Sequence, residues 1–193
     1  MRKMLLIAFL LMMTVVYGCS SAKYISPDAV SKVEGTGIES RDMRTVANEM
    51  ATDLLSSRAI ADFRGVPTIA VLPLKNRTRF IIDQDIITSL MTNTLINNGA
   101  GRVAVLNREI LDNIQKEREM KSSGQFSGTD EGKIAGADFF LQGSIRSLTA
   151  SDGKNVSDYV VFRFELTNAN SSVTVWSKDY QMKKEGTWGV QYQ

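Results

Sequence analysis

The chain has 193 residues, with 23 basic and 21 acidic side chains, a single cysteine and no histidine. Without Arg2 and Lys3 of the leading segment the two signs balance, which argues against nucleic-acid binding, because phosphates attract a clustered positive excess. One cysteine excludes an intrachain disulfide, and the missing histidines remove the commonest general base and metal ligand, so neither a metal nor a cofactor is expected.

The first residues indicate an export signal. Arg2 and Lys3 precede an uncharged apolar run over residues 5–16. This run is shorter than the roughly 20 residues that span a bilayer, so it predicts a cleaved signal rather than an anchor. The order Val16-Tyr17-Gly18-Cys19 is typical of a lipoprotein signal, with acyl chains expected on Cys19. An ordinary signal with an incidental cysteine is the alternative.

Lipid on Cys19 would fix the chain to a membrane, because two or more acyl chains hold a protein stably. Ser20 rather than aspartate follows the cysteine, which favours the outer membrane, with the protein facing the periplasm. The predicted organisation is a signal peptide over residues 1–18, a lipidated N-terminus and short tether over 19–37, and one periplasmic domain over 38–193. As a flexible chain the tether spans roughly 25 Å.

Three helices are predicted from apolar periodicity, and Thr129-Asp130-Glu131 is predicted to start a fourth, short one. The first begins at Ser40, and it places Met43, Val46, Met50 and Leu54 on one face. The second covers residues 85–98 and ends at Gly99, with Ile86, Leu90, Met91, Thr94 and Leu95 facing inward. The third runs from a cap at Asn107 to about Lys121, and its charged outer face is most simply solvated.

Short apolar runs predict the strands. Residues 68–72, bounded by Pro67 and Pro73, are typical of a strand buried on both faces, and residues 102–106 form a second one. Three longer alternating segments follow over residues 138–148, 159–168 and 173–182. The predicted fold is therefore α/β of the α+β sandwich kind. A small mixed sheet of about five strands has helices packed against it and ends in an antiparallel meander.

Catalysis would have to depend on carboxylate pairs, because the chain has no histidine and its one cysteine is expected to carry lipid. Asp83 with Asp85, and Asp130 with Glu131, are two such pairs. Both stand at predicted helix starts, where capping and the helix dipole explain acidic residues without chemistry. We therefore expect no enzyme.

Two features are candidates for binding a partner. Residues 75–79 follow a predicted central strand and contain Lys75, Arg77 and Arg79, at the position from which α/β sheets present binding groups. Phe126 lies in a Ser- and Gly-rich segment. The alternatives are a solvated turn for residues 75–79 and an aromatic ring folded back on the core for Phe126.

Four segments in order resemble the LpoB-type family of penicillin-binding-protein activator lipoproteins. They are Val71-Leu72-Pro73-Leu74-Lys75-Asn76-Arg77-Thr78, Leu95-Ile96-Asn97-Asn98-Gly99, Gly136-Ala137-Asp138-Phe139-Phe140-Leu141-Gln142-Gly143-Ser144 and Val175-Trp176-Ser177-Lys178. Asn76, Arg77 and Thr78 match the family's loop. The candidate partner-binding residues are therefore Asn76, Arg77, Arg79 and Phe126.

The resemblance implies an outer-membrane lipoprotein that binds a bifunctional peptidoglycan synthase, a penicillin-binding protein, and stimulates it without being an enzyme itself. The chain departs from the best-known members in its tether, which lacks their long proline-rich segment and leaves three prolines in all. A structural subunit or scaffold of an outer-membrane secretion assembly, similar to curli-type lipoproteins, is the alternative function.

Overall fold

The computed structural model describes residues 22–30, 35–127 and 134–187. Cys19 and the pair Asp130 and Glu131 lie outside these residues. None of the helices within the described ranges has both the length and the apolar character needed to cross a bilayer.

Four helices and six strands make up the described fold. The helices are α1 (Ser40–Ser56), α2 (Arg58–Ala61), α3 (Gln84–Gly99) and α4 (Leu111–Ser122). The strands are β1 (Thr68–Val71), β2 (Lys75–Arg77), β3 (Ala104–Leu106), β4 (Phe139–Ser151), β5 (Asn155–Asn168) and β6 (Thr174–Thr187). They form one mixed sheet in the order β3-β1-β4-β5-β6, which confirms the predicted fold class.

The sheet has six strands because residues 75–77, predicted as a loop, form β2. β4 has thirteen residues and pairs with β1 only near its start, from Phe139 to Leu141. The edge of β4 beyond this point is free to accept β2, which pairs in parallel with Lys75 opposite Ser144 and Arg77 opposite Arg146. This pairing places the basic residues of β2 on the sheet itself.

The last three strands form the predicted meander, and each is longer than the alternation indicated. β5 pairs antiparallel with β4 along its whole length and with β6 on its other side. Alternate β5 residues from Val156 to Leu166 are buried, while Arg163 between them is exposed. The meander therefore has one core face and one outer face, and "outer face" hereafter means the side that bears Arg163.

α1 confirms its predicted stripe, since Val46, Met50 and Leu54 are fully buried. Its N-cap is Glu39 rather than Ser40. The Asp42 carboxylate accepts from the Glu39 backbone N–H at 2.9 Å, closing a capping box. The helix itself begins at Ser40 as predicted, and its cap is the residue before.

α3 begins after Asp83, whose side chain accepts from the backbone N–H of Asp85 at 3.0 Å. This is the capping role expected of the pair. The buried row of α3 is Ile87, Met91 and Leu95, whereas Ile86 is 49% exposed, so its predicted inward position was wrong. Every fourth residue from Ile87 onward is buried, and the last of them is Gly99. A Cβ at Gly99 would lie 3.0 Å from Val103 Cγ2, so the helix packs closely against Val103 there.

One core lies between the sheet and the helices α1 and α3. Its fully buried members include Met50 and Leu54 from α1, Met91 from α3, and Leu141 and Phe162 from the sheet. α4 begins at Leu111 rather than at Asn107, and none of its residues is buried. The outer face of the sheet is thus the side that α1 and α3 leave open.

Candidate functional site

A basic recess lies on the outer face. It measures about 130 Å³ and is formed where β2, β4 and β5 run side by side. The lining side chains come from Lys75, Arg77, Gln142, Ser144, Arg146, Arg163 and Glu165. Ser144 stands opposite Lys75 on one neighbouring strand and opposite Arg163 on the other, so the strand register itself gathers these charges.

The two charged residues that β5 contributes to the recess, Arg163 and Glu165, bind other residues of the sheet. Arg163 binds Asp179 of β6 through two hydrogen bonds of 2.7 Å, and the hydrogen bonds of this arginine lower the pKa of the Asp179 carboxyl. The Glu165 carboxylate accepts from Gln142 Nε2 at 3.0 Å. Neither side chain is therefore fully available to a ligand.

The other three cations of the recess are not engaged in this way. Lys75, Arg77 and Arg146 have no carboxylate within ion-pair distance in the part of the chain that the structure describes. Like charges held side by side on adjacent strands repel each other, and an acidic group offered from outside would relieve this repulsion. The recess thus attracts negative charge.

An apolar side chain adjoins these cations. Leu148 lies two residues beyond Arg146 on the same face of β4 and is 71% exposed. Tyr159 is its direct cross-strand neighbour on β5, and the Tyr159 hydroxyl binds Gln181 of β6 at 2.8 Å. Tyrosine and arginine are enriched at the centres of protein-contact surfaces, and the exposed leucine adds apolar area beside them.

Of the four predicted partner-binding residues, Arg77 is the one that lines the recess. Asn76, its neighbour on β2, points its polar group into the following turn instead. The Asn76 amide donates to the carbonyl of Phe80 at 2.8 Å, and its oxygen accepts from the backbone N–H of Thr78 at 2.9 Å. Asn76 and Thr78 therefore shape the connection between β2 and α3.

Arg79 is directed towards the core face of the meander. Its guanidinium Nη2 lies 2.5 Å from Oδ2 of Asp158, a carboxylate with no exposed surface, and its Nε lies 3.1 Å from Oδ1. Burial alone would raise the pKa of Asp158, but the hydrogen bonds from Arg79 and from Thr149 outweigh it and lower that pKa. The side chain of Arg79 remains 38% exposed.

Phe126 lies beyond the C-terminal end of α4 and is 45% exposed. It does not line either recess described here. A second recess of about 290 Å³ lies between β3 and α4, with Val105, Ile110, Leu111 and Ile114 among its apolar walls. The structure therefore does not bring Arg77, Arg79 and Phe126 together on one surface.

The sequence did not identify Arg146, Arg163 and Leu148 as site residues. Arg163 carried a signal, because it alternates with the buried Phe162 and Phe164 and so had to lie on the wet side of its strand. Arg146 and Leu148 became meaningful only when β2 was found beside β4. As to metals, no three acidic or cysteine side chains of the described ranges cluster closely enough to hold an ion.

Solved structures with a similar arrangement of elements include two C-terminal domains of LpoB. The domain from Salmonella enterica is 15% identical over 73% of this chain and 98% of its own, with a TM-score of 0.47. The domain from Escherichia coli is 16% identical over the same shares, also with a TM-score of 0.47. A PelC dodecamer from Paraburkholderia phytofirmans matches at 18% identity over 63% of this chain and 75% of its own, with a TM-score of 0.37.

Sequence comparison provides the assignment. No curated protein sequence matches this chain significantly. The sequence profile of the family described as "Peptidoglycan-synthase activator LpoB" matches residues 42–182. This match begins in α1, ends in β6 and includes every strand that forms the basic recess. Since it spans well over half of the sequence, the chain belongs to the LpoB family of peptidoglycan-synthase activators.

Proposed function

We propose that this chain is a lipoprotein, anchored through Cys19 in the outer membrane and facing the periplasm, that binds a bifunctional penicillin-binding protein. The bound synthase polymerises and crosslinks glycan faster, and the activator itself is not an enzyme. Membership of the LpoB family supports the class of partner. The exposure of the outer face of the sheet supports this face as the partner-binding surface.

The observation that carries this proposal is a group of three cations with no ion pair among the described residues, beside an exposed leucine. Lys75, Arg77 and Arg146 project from two paired strands, so their spacing is fixed by the sheet. Leu148 adds apolar area at the edge of this group. The matching surface on the synthase would carry carboxylates around an apolar pocket, because opposite potentials steer encounter and an apolar anchor holds the complex.

The tether limits where this encounter takes place. Ser40 Oγ donates to the carbonyl of Pro27 at 2.7 Å, and Arg44 Nε lies 2.6 Å from Asp28, so the segment around Pro27 is bound to α1. Only the residues between Cys19 and Pro27 are then left to separate the domain from the lipid, and fully extended they reach about 28 Å. The synthase must therefore present its activator-binding surface close to the anchoring membrane.

The test is charge reversal on the outer face, measured with the full-length lipoprotein in detergent and a purified bifunctional penicillin-binding protein from the same cells. The double variant Arg77→Glu with Arg146→Glu should weaken binding by about tenfold or more, because both charges then repel the partner's carboxylates. Stimulation of glycan polymerisation should fall in parallel at a fixed concentration.

The double variant Arg64→Glu with Lys116→Glu is the matched control, because it makes the same change of net charge at two exposed positions that do not line the recess. This variant should bind and stimulate like the unaltered chain. Equal loss in both variants would mean that net charge matters rather than this surface. No loss in either would overturn the assignment of the outer face.

A further inference from the structure

The basic recess is hollow because its central residue is short. Ser144 of β4 lies between Lys75 of β2 on one side and Arg163 of β5 on the other. Along β4 itself its neighbours on the outer face are Gln142 and Arg146, since residues two apart in a strand share a face. Four long side chains therefore surround one serine, which lies at the floor of a cavity of about 130 Å³.

The floor and the β2 side of the recess offer hydrogen-bond donors. No described residue makes a hydrogen bond to the Ser144 hydroxyl. The side chains of Lys75, Arg77 and Arg146 form no ion pair with the described residues either. An ammonium carries three N–H donors and a guanidinium five, and neither can accept. The complement of these walls is a group rich in acceptor oxygens.

The charge of the recess favours a doubly negative group. Arg163 is paired with Asp179, so these two residues add no net charge. The three cations without an ion pair then stand against one carboxylate of the wall, Glu165, which leaves two positive charges. A carboxylate would neutralise one of these charges, whereas a phosphate monoester carries about 1.5 to 2 negative charges near neutral pH.

The two arginines are placed to share such a group. Arg77 and Arg146 stand directly opposite each other on β2 and β4, where like charges repel. A phosphate between them relieves this repulsion and accepts paired N–H bonds from both guanidinium groups, the recognition for which arginine is suited. Ser144, two residues from Arg146, and its cross-strand neighbour Lys75 are then donors for the remaining oxygen.

We propose that the basic recess binds a phosphate group that carries two negative charges, as in the phosphate monoester of a soluble metabolite or of a lipid headgroup. Lys75, Arg77 and Arg146 neutralise the phosphate, and Ser144 donates to it from the floor. Since the proposed synthase contact uses the same arginines, bound phosphate competes with the synthase. This competition rests on the proposed function, whereas the phosphate site does not.

Isothermal titration calorimetry of the full-length lipoprotein in detergent tests the site, with methyl phosphate as the probe. Ser144→Leu fills the recess and leaves every charge in place, so it should weaken binding by about tenfold or more. Ala150→Leu is the matched control, because it adds a leucine to the outer face of the same strand outside the recess. It should bind like the unaltered chain. Equal affinity in the two variants would overturn the recess as the site.

The pH dependence tests the charge of the ligand. The second pKa of a phosphate monoester is about 6, so methyl phosphate gains negative charge between about pH 5 and about pH 7.5. The chain has no histidine, the side chain whose charge ordinarily changes in this range. Methyl phosphate should therefore bind several-fold more tightly at the higher pH, whereas sulfate, doubly charged throughout, should bind equally at both. Phosphate affinity that does not change with pH would contradict a doubly negative ligand.

Reconstitution into lipid nanodiscs distinguishes the two sources of phosphate. Phosphatidic acid in a phosphatidylcholine disc should suppress the titration with methyl phosphate if a lipid headgroup fills the recess. An unchanged titration would assign the site to a soluble phosphate, and either result supports the site itself. Absence of any titration, in detergent and in phosphatidylcholine discs alike, would overturn it.

The competition is measured separately. Saturating methyl phosphate should weaken binding of the purified synthase several-fold relative to sodium chloride of the same ionic strength, which screens charges equally. A synthase affinity that does not change, while methyl phosphate still titrates, would overturn the competition and leave phosphate binding established.

Discussion

Arg79 holds the carboxylate of Asp158, which has no exposed surface, with its Nη2 2.5 Å from Oδ2. The contact joins the turn after β2 to the core face of β5 near the start of that strand, 79 residues further along the chain. Thr36, just before α1, also accepts from this guanidinium at 3.2 Å. One arginine thus connects three separate parts of the fold.

Removing this arginine should destabilise the protein. Arg79→Met leaves Asp158 buried without its cation, and losing one member of a buried pair typically costs about 3 kcal/mol or more in the free energy of unfolding. Arg77→Met, two residues away and on the outer face, should change that free energy little. Urea unfolding of the two variants checks the difference, and equal stability would show that Asp158 does not depend on Arg79.

The fold should weaken in acid, in part through Asp53. Lys178 and Trp176 donate hydrogen bonds to this carboxylate and lower its pKa below the usual 3.8. A group with a depressed folded-state pKa stabilises the fold above its unfolded pKa and loses this contribution as the pH falls through the folded value. The free energy of unfolding should therefore fall below about pH 4.

Asp53→Asn should show a smaller fall, measured by urea unfolding between about pH 6 and about pH 2. Asp62→Asn is the control, because Asp62 is exposed and has no ion pair in the described part of the chain. Its free energy of unfolding at about pH 6 should stay close to that of the unaltered protein, because the substitution removes no ion pair. An Asp53→Asn variant with the full acid dependence would place the titrating groups elsewhere.

Gly143 occupies a position in β4 that has no room for a side chain. A Cβ there would lie 2.5 Å from Leu74 Cδ1 and 2.7 Å from Phe164 Cε1. Gly143→Ala should therefore destabilise the protein by roughly 1–3 kcal/mol, the usual cost of overpacking a core. Gly136→Ala, where nothing lies within 4 Å, should be close to neutral. Thermal unfolding distinguishes the two, and equal melting temperatures would contradict the packing described here.

Leu148 should contribute to partner binding and not to stability. At 71% exposure it loses little packing on substitution, so Leu148→Ser should unfold like the unaltered chain but bind the synthase several-fold more weakly. Ile96→Ser is the matched control, because Ile96 is 50% exposed on α3, on the other side of the sheet. A binding assay in which Ile96→Ser weakens binding as much as Leu148→Ser would exclude a specific role for Leu148.

Local periodicity was enough to predict most of the elements. The stripe of α1 and the alternation of β5 follow from one helix face and one strand face packing on a common core. The inward row of α3 was less accurate, because a shift of one residue from Ile86 to Ile87 depends on tertiary contacts. The cap of α1 is Glu39, which closes a capping box with Asp42, and not Ser40. β2 was missed, since three polar residues form a strand only when a long β4 offers them an edge.

The candidate site was harder to predict than the fold. Arg77 and Arg79 look equivalent in the sequence, yet one faces outward and the other holds Asp158. Arg146 joins Arg77 only through the parallel pairing of segments almost 70 residues apart, which local pattern does not encode. The sequence therefore indicated the β2 residues of the basic recess, and the topology of the sheet was needed to identify those from β4 and β5.

Whether this chain activates a peptidoglycan synthase is decided by the rate of glycan polymerisation. A purified bifunctional penicillin-binding protein from the same cells would be assayed with increasing amounts of the full-length lipoprotein in detergent. We expect the rate to rise and to saturate as the complex forms. A rate that stays unchanged while binding saturates, or an absence of binding at all, would contradict it and favour a scaffold role in an outer-membrane assembly.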